Sequence, residues 1–432
     1  MFGALTLNDI VLIDGTGAPA VPGTRVVADD GVVVKIERAA GDGAGPDVVQ
    51  GHGRWLLPGL WDTHMHHGFS AGGLTSAEEL SGAQLLLNWR AYLRSGVTSV
   101  VSTGDDPQRM IAARTAERAG ELVGPRIFAA GSVLTAPGGH PVATLLHGHA
   151  IGVGDIAVEL DDAAAATAHV RTALEEQGLD LVKVIYSTIP GDGPRLRRDV
   201  LNAVVAETHR CGRPIVAHVA TAAEAAEAVE AGVDGLEHMV LEGDDLLDAT
   251  FAIMVERGVL WTPTLSLFDR MAHDLDMSYV WGHRPHGFVS GTVLRSIEEW
   301  AARGVRPPPG APVPPWERTV EFAGRAHAAG VRLVVGTDAG MTAVFHGLAV
   351  HRELELLVRA GLTPGEALSA ATAVAASKVG ASTRLGTIEV GKEADLLLLR
   401  DDPLADIRNT RSIDLVVKRG VPYDPDDLTI DS

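Results

Sequence analysis

From about residue 56 to residue 338 the chain alternates short aliphatic and β-branched runs with Ala-rich segments whose apolar positions recur at helical spacing. The runs near 56–64, 97–103, 126–133, 180–187, 214–219, 235–240, 259–265 and 332–338 are short and bounded by Gly, Pro or Asp, and they predict buried strands. Segments such as 198–211 and 222–231 predict the helices between them. Strand and helix in this repeated order predict an α/β fold, a (β/α)8 TIM barrel with a parallel sheet inside and helices outside.

The two ends read differently. Residues 5–14, 25–27 and 32–37 are β-type runs punctuated by Gly, Pro and Asp-Gly, and the same texture returns at 386–390, 394–400 and 413–418. Neither end holds enough strands for a stable sheet alone, so residues 1–57 and 384–432 are expected to form one small discontinuous β-sandwich domain around a catalytic barrel of 58–383. Helices near 364–378 lead from the barrel into it. Within the barrel, residues 267–315 make a long excursion after the seventh strand, ending in the proline-rich stretch 307–315 and carrying Tyr279, Trp281, Trp300, Arg270, Arg284 and Arg295. A connection at that end of a strand suits a lid or substrate-binding segment; a packed surface excursion or an oligomer contact is the alternative.

Composition narrows the function classes. With 36 Lys and Arg against 56 Asp and Glu, the net charge is −20, and no basic patch stands out for nucleic acid or an anionic membrane surface. The single cysteine, Cys211, allows no intramolecular disulfide, no apolar run reaches 18 residues, and the start shows no basic segment followed by an apolar core. The expectation is a soluble cytoplasmic protein whose partners are a small-molecule substrate and further copies of itself in a homo-oligomer.

Candidate chemistry sits at the ends of the predicted strands. His64-Met-His66 closes the first, and residues i and i+2 of a strand face the same way, so both imidazoles can reach one metal ion. Lys183, His218, His238 and Asp338 each lie at or near the end of a later strand, on the face where a barrel gathers its catalytic groups. A second His-x-His pair, His147 and His149, has no partner of this kind, nor has His67; His209 and His327 read as helix-surface residues.

The order His-x-His, Lys, His, His, Asp resembles the amidohydrolase superfamily, and within it the binuclear metal hydrolases. The phrases Pro58-Gly-Leu-Trp-Asp-Thr-His-Met-His66, Gly336-Thr-Asp-Ala-Gly340 and Gly391-Lys-Glu-Ala-Asp395 carry the likeness across nearly the whole chain, and Gly138-Gly-His140 is similar to the imidazolonepropionase-like and Xaa-Pro-dipeptidase-like branch. The resemblance implies two divalent metals, zinc by default and manganese or cobalt as alternatives. His64, His66 and Asp338 would hold one, His218 and His238 the other, and Lys183, carboxylated by carbon dioxide, would bridge both. A hydroxide between the metals would attack the carbonyl of an amide or cyclic amide, Asp338 would move the proton, and His140 would support the oxyanion. Tyr186 and His140 are the candidate substrate residues, with packing as the other reading of Tyr186; Asp62 is expected to orient a ligand imidazole.

Three alternatives remain. A deaminase of the same barrel would carry a glutamate soon after the fifth-strand histidine, whereas here His218 is followed by Val-Ala-Thr221 and Glu224 comes six positions on. A lactonase would use the same nucleophile. A scaffold that has lost its chemistry would not be expected to fill all six ligand positions.

Overall fold

The structure, a computed structural model, describes residues 3–39, 41, 45, 47–68, 81–145, 156–188, 193–240, 247–273, 287–302 and 316–430. Strands β1 (Leu5–Leu12), β2 (Val21–Asp29), β3 (Val32–Arg38), β4 (Val48–Gln50) and β5 (Trp55–Pro58) come from the first end of the chain. They join β15 (Leu396–Leu399), β16 (Ile413–Lys418) and β17 (Val421–Tyr423) in one eight-stranded sheet. Strands of both ends thus share one sheet. The parallel pair β1–β5 and the antiparallel pair β5–β15 stitch the ends together.

Alternation along these strands divides two cores. Leu56, Leu396, Leu398 and Val417 enter a small cluster with Leu7, Ile10 and Val26, while Leu57, Leu397, Leu399 and Val416 enter the main core. That is why residues 396–399 are four buried leucines in succession: the period of two supplies both faces, and neither meets water.

The remaining strands are parallel. β6 (Leu60–Met65), β7 (Val97–Ser102) and β8 (Arg126–Ala129) form one sheet, and β9 (Val133–Thr135), β10 (Ala157–Glu159), β11 (Val182–Ile185), β12 (Ile215–His218), β13 (Gly235–Glu237) and β14 (Leu260–Thr262) another, in the order β10-β9-β11-β12-β13-β14. Backbone bonds cross between them: Asp180 N–H to Ala129 O on one side, and residues 332–339 on the other. That segment bonds to Trp261 through Arg332 and Val334, and to Thr63 and His64 through Val335, Thr337 and Asp338. The helices Arg198–Arg210 and Ala222–Ala231 lie as expected, as do Pro364–Ala370 and Ala373–Lys378.

Four expected strands differ. The apolar run at 56–64 is two strands, because the chain leaves the terminal sheet at Gly59, where an added Cβ would lie 2.1 Å from the Thr98 hydroxyl oxygen. The run at 126–133 breaks at Gly131, whose φ of 69° suits glycine, into β8 and β9 on different sheets. Residues 332–338 meet their neighbours through single bridges rather than a continuous ladder. Residues 386–390 are not a strand; Ile388 and Gly391 bond singly to Asp14 and Val33. In the 267–315 excursion, the helix Gly291–Ala302 packs Val293, Leu294 and Ile297 against Phe345 and Leu348. Tyr279, Trp281, Arg284 and the side chain of Trp300 lie outside the described residues, as do His147 and His149. Among the described residues no helix is long and apolar enough to cross a membrane.

Leu397 joins the terminal sheet to the main core and abuts the turn at Gly96. Leu397→Ala should lower unfolding free energy by about 2–5 kcal/mol, whereas Val390→Ala, at an exposed site, should change it by no more than about 0.5 kcal/mol. Chemical denaturation of both variants measures the contrast.

Candidate metal and catalytic site

β6 delivers His64 and His66, and the chain at 336–340 crosses directly over them. Gly336 and Gly340 permit that approach: a Cβ on Gly340, whose φ is 100°, would lie 2.2 Å from the His66 carbonyl oxygen, and one on Gly336 would lie 2.8 Å from His64 Cβ. Asp338 takes φ of 61° between them and donates its N–H to His64 O. Its Oδ1 then sits 3.2 Å from His66 Nε2 and 3.7 Å from His64 Nε2. Among the described residues, His64, His66 and Asp338 form the group whose ligand-type atoms all fall within 4.8 Å of one another.

The later strands bring the other candidates to the same place. His238, at φ of 70°, has Nδ1 3.7 Å from Asp338 Oδ2 and 3.1 Å from the Thr264 hydroxyl. Its ring centre lies 4.5 Å from that of His64 and 4.4 Å from that of His218, and the His140 ring, tilted by 38°, lies 5.0 Å from His218. Lys183 is buried on β11, beside β12, and its charge bears on His64, His218 and His238.

Burial sets the protonation of this cluster. It pushes His64, His218 and His238 well below the usual imidazole range, with neighbouring cations adding to the effect, and it holds His140 at about 4. Neutral rings keep a lone pair. His64 Nδ1 donates to Glu237 Oε2 at 2.6 Å, so its Nε2 carries that lone pair, and His66 Nδ1 donates to Gly104 O at 2.8 Å. His66 alone is raised, since its ties to Asp338 outweigh desolvation. Burial also brings Lys183 down to about 8. His64 Nε2 and His218 Nε2 are buried without a hydrogen-bond partner, and Asp338 Oδ1 has His66 Nε2 beside it at 3.2 Å. Orphaned acceptors on neutral imidazoles beside a carboxylate are a donor set that fits a divalent cation.

The supports of this cluster were mostly invisible in the sequence. Glu237, fully buried, holds His64 and is itself held by Lys378 Nζ at 2.7 Å; the same ammonium donates to Thr63 O at 3.0 Å and Thr262 Oγ1 at 2.7 Å. Asp105 accepts the N–H groups of His67 and Gly68, fixing the chain just after the His-x-His pair. His67 itself stacks on Trp89 at 3.7 Å and bonds Leu85 O. Glu224 accepts from Thr188, Ala220 and Thr221 N–H, tying together the loops that follow β11 and β12.

Two expectations are corrected. Asp62 touches no ligand imidazole; its carboxylate, which burial raises to about 6, accepts the backbone N–H of His64 and Thr337 and the hydroxyls of Thr337 and Tyr92. Tyr186 faces the helix layer, with its hydroxyl on Glu227 and Arg195 over its ring, because strand parity puts it opposite Lys183 and Ile185. His209 pairs with Asp234 on the surface at 3.0 Å.

The Amidohydrolase family profile matches residues 55–422, so the chain belongs to that family and is an enzyme acting on carbon–nitrogen bonds. In sequence it is similar to "Ochratoxinase" of Aspergillus niger, with 28% identity over 391 residues covering 82% of this chain and 72% of the relative. In structure it is similar to a putative prolidase from Bifidobacterium longum, at TM-score 0.73 and 27% identity, covering 99% of this chain and 98% of that one. A Xaa-Pro dipeptidase with bound methionine shares the fold at TM-score 0.76 and 24% identity, covering 98% and 100%.

Breaking the pair beneath His64 tests the support. Lys378→Met should leave Glu237 uncompensated and cost about 3–5 kcal/mol in unfolding free energy, and Glu237→Gln added to it should restore part of the loss. A second substitution that deepens the loss in denaturant titrations would contradict the pairing.

Proposed function

We propose that this chain hydrolyses a peptide-like or cyclic amide at a site holding two divalent metals, at the C-terminal mouth of a closed (β/α)8 barrel. The observation that carries the reading is the grouping of His64, His66 and Asp338 with the rings of His238 and His218 beside them, and the buried, unpartnered Nε2 atoms of His64 and His218. His64, His66 and Asp338 would hold one metal, His218 and His238 the other, and Lys183 both. The lysine would serve as a carbamate: its lowered pKa raises the share of neutral amine, which can add carbon dioxide and, on losing a proton, become a two-oxygen anion. Zinc is the default, with manganese and cobalt compatible with the oxygen-rich bridge.

When bound, the metals would acidify a water and polarise a carbonyl. The chain's own residues then divide the proton work. Asp338, within 3.2 Å of His66 and 3.7 Å of His64, accepts the proton of the attacking water and returns it to the departing nitrogen. His140 is neutral and held through Nδ1 by Thr144 at 2.7 Å. In the tautomer in which Thr144 gives its hydroxyl proton to Nδ1 rather than to Pro141 O, 3.3 Å away, Nε2 would keep a proton for the developing oxyanion. Closely packed apolar strands below the cluster exclude bulk water. The similarity to proteins named ochratoxinase and prolidase supports an amide as the first bond class to test. A deaminase is less favoured because Glu224 spends its carboxylate on backbone amides. We place the protein in the cytoplasm as a homo-oligomer, on the composition alone.

Metal-replete protein should contain close to two divalent metals per chain and cleave some member of a panel of dipeptides, N-acyl amino acids, lactams and lactones. Asp338→Asn should abolish turnover while keeping fold and much of the metal. Lys183→Ala should lose the second metal and lower activity by orders of magnitude, with partial rescue by acetate or propionate, which supply two oxygens. Elemental analysis and kinetics decide. An alanine variant with two metals and near-normal rates would make Lys183 a structural lysine, and one metal per wild-type chain would revive the deaminase.

A further inference from the structure

Glu353 lies in the helix Leu348–Arg359, fully buried, with no part in the cluster described above. Among the described residues no cationic side chain pairs with it; the nearby Arg352 goes to Asp269 at 2.8 Å instead. Its oxygens accept two backbone N–H groups, Leu265 at 2.8 Å and Ser266 at 2.7 Å, which open the helix Leu265–Ala272. Burial raises its carboxyl to about 8, so the placement works against stability above the ordinary carboxylate range. A buried carboxylate of this kind is better explained by what it positions than by what it stabilises.

The two residues beside its bonds reach the site. Thr264 has φ of 49°, a left-handed conformation that is unfavourable for a β-branched residue, and its hydroxyl meets His238 Nδ1 at 3.1 Å. Ser266 donates its hydroxyl to Thr337 O at 3.2 Å, the carbonyl just before Asp338. Fixing the N–H groups of 265 and 266 therefore fixes the threonine behind His238 and the serine behind Asp338.

We propose that Glu353 is a positioning residue for the metal site, acting through Thr264 on His238 and through Ser266 on Asp338. The proposal rests on the metal-dependent reading above. Residues that orient ligand side chains carry affinity because a ring held in one tautomer and one direction presents its lone pair without rearranging.

The test compares wild type, Glu353→Gln, Thr264→Val and the double variant. The glutamine keeps the volume but turns one acceptor into a donor facing an N–H; the valine keeps the shape and removes the hydroxyl. Zinc affinity, measured by competition with a chelator, should weaken about tenfold in each single variant. The double variant should be no weaker than the weaker single, because both break one connection. In metal-free protein, Glu353→Gln should speed hydrogen exchange in residues 260–273 and leave 215–219 unchanged. Wild-type zinc affinity in Glu353→Gln, losses that multiply in the double variant, or unchanged exchange in 260–273 would overturn the proposal. A wild type that binds no zinc would refute the metal reading, and the exchange comparison would still decide whether Glu353 sets the turn.

Discussion

Glu237 and Lys378 meet at 2.7 Å in a place where neither reaches solvent, and the floor of the site is assembled around that contact. An ammonium has three donors. Lys378 spends them on Thr63 O of β6, Thr262 Oγ1 of β14 and Glu237 of β13, so one side chain pins three strands. Removing two ions from water is costly, and Coulomb attraction offsets that only when the remaining hydrogen bonds are made. Here Lys378 also donates to Thr63 O and Thr262 Oγ1, and the second oxygen of Glu237 accepts a hydrogen bond from His64 Nδ1. The pair thereby converts an expense of burial into a fixed tautomer, with Nε2 turned toward Asp338.

The same trade recurs in the backbone. His238 and Asp338 occupy left-handed conformations that cost residues with a Cβ about 1–3 kcal/mol each, and both are candidate ligands. They persist because their peptide groups are held: Trp261 Nε1 donates to His238 O at 2.6 Å, His238 N to Thr262 O, and Asp338 N to His64 O. Asp62 adds the Thr337 amide and hydroxyl. Strain and support coincide, which is expected where geometry matters more than stability.

The strand-end candidates were legible because they follow the two-residue period and recur in a spacing the strand–helix alternation explains. Their supports were not, for two physical reasons. Parity sends Glu237 and His238 to opposite faces of a strand; only the left-handed turn at His238, which no residue type announces, returns its ring to the side where Glu237 already points. Lys378 lies 141 residues beyond its partner, on a helix outside the parallel sheets, and nothing local distinguishes it from a surface lysine. Strand boundaries failed where glycine decided them. Gly59 and Gly131 break apolar runs that read as continuous, since hydropathy carries no record of which sheet a residue joins. The sidedness of Tyr186 was available from parity with Lys183, three residues earlier, and packing was the correct alternative.

These observations place the cluster's chemistry in its burial rather than in the residues taken singly. A histidine at the surface is half protonated near pH 6.5 and shares its lone pair with water; His64, His218 and His238 are held neutral through the physiological range because a charge there would be poorly solvated. Desolvation that opposes imidazolium also lowers the Lys183 ammonium. The environment thus disfavours positive charge on these four groups while gathering acceptor atoms with no donors of their own. A divalent cation relieves both conditions at once, since it supplies the positive charge those atoms lack and needs no proton to do so.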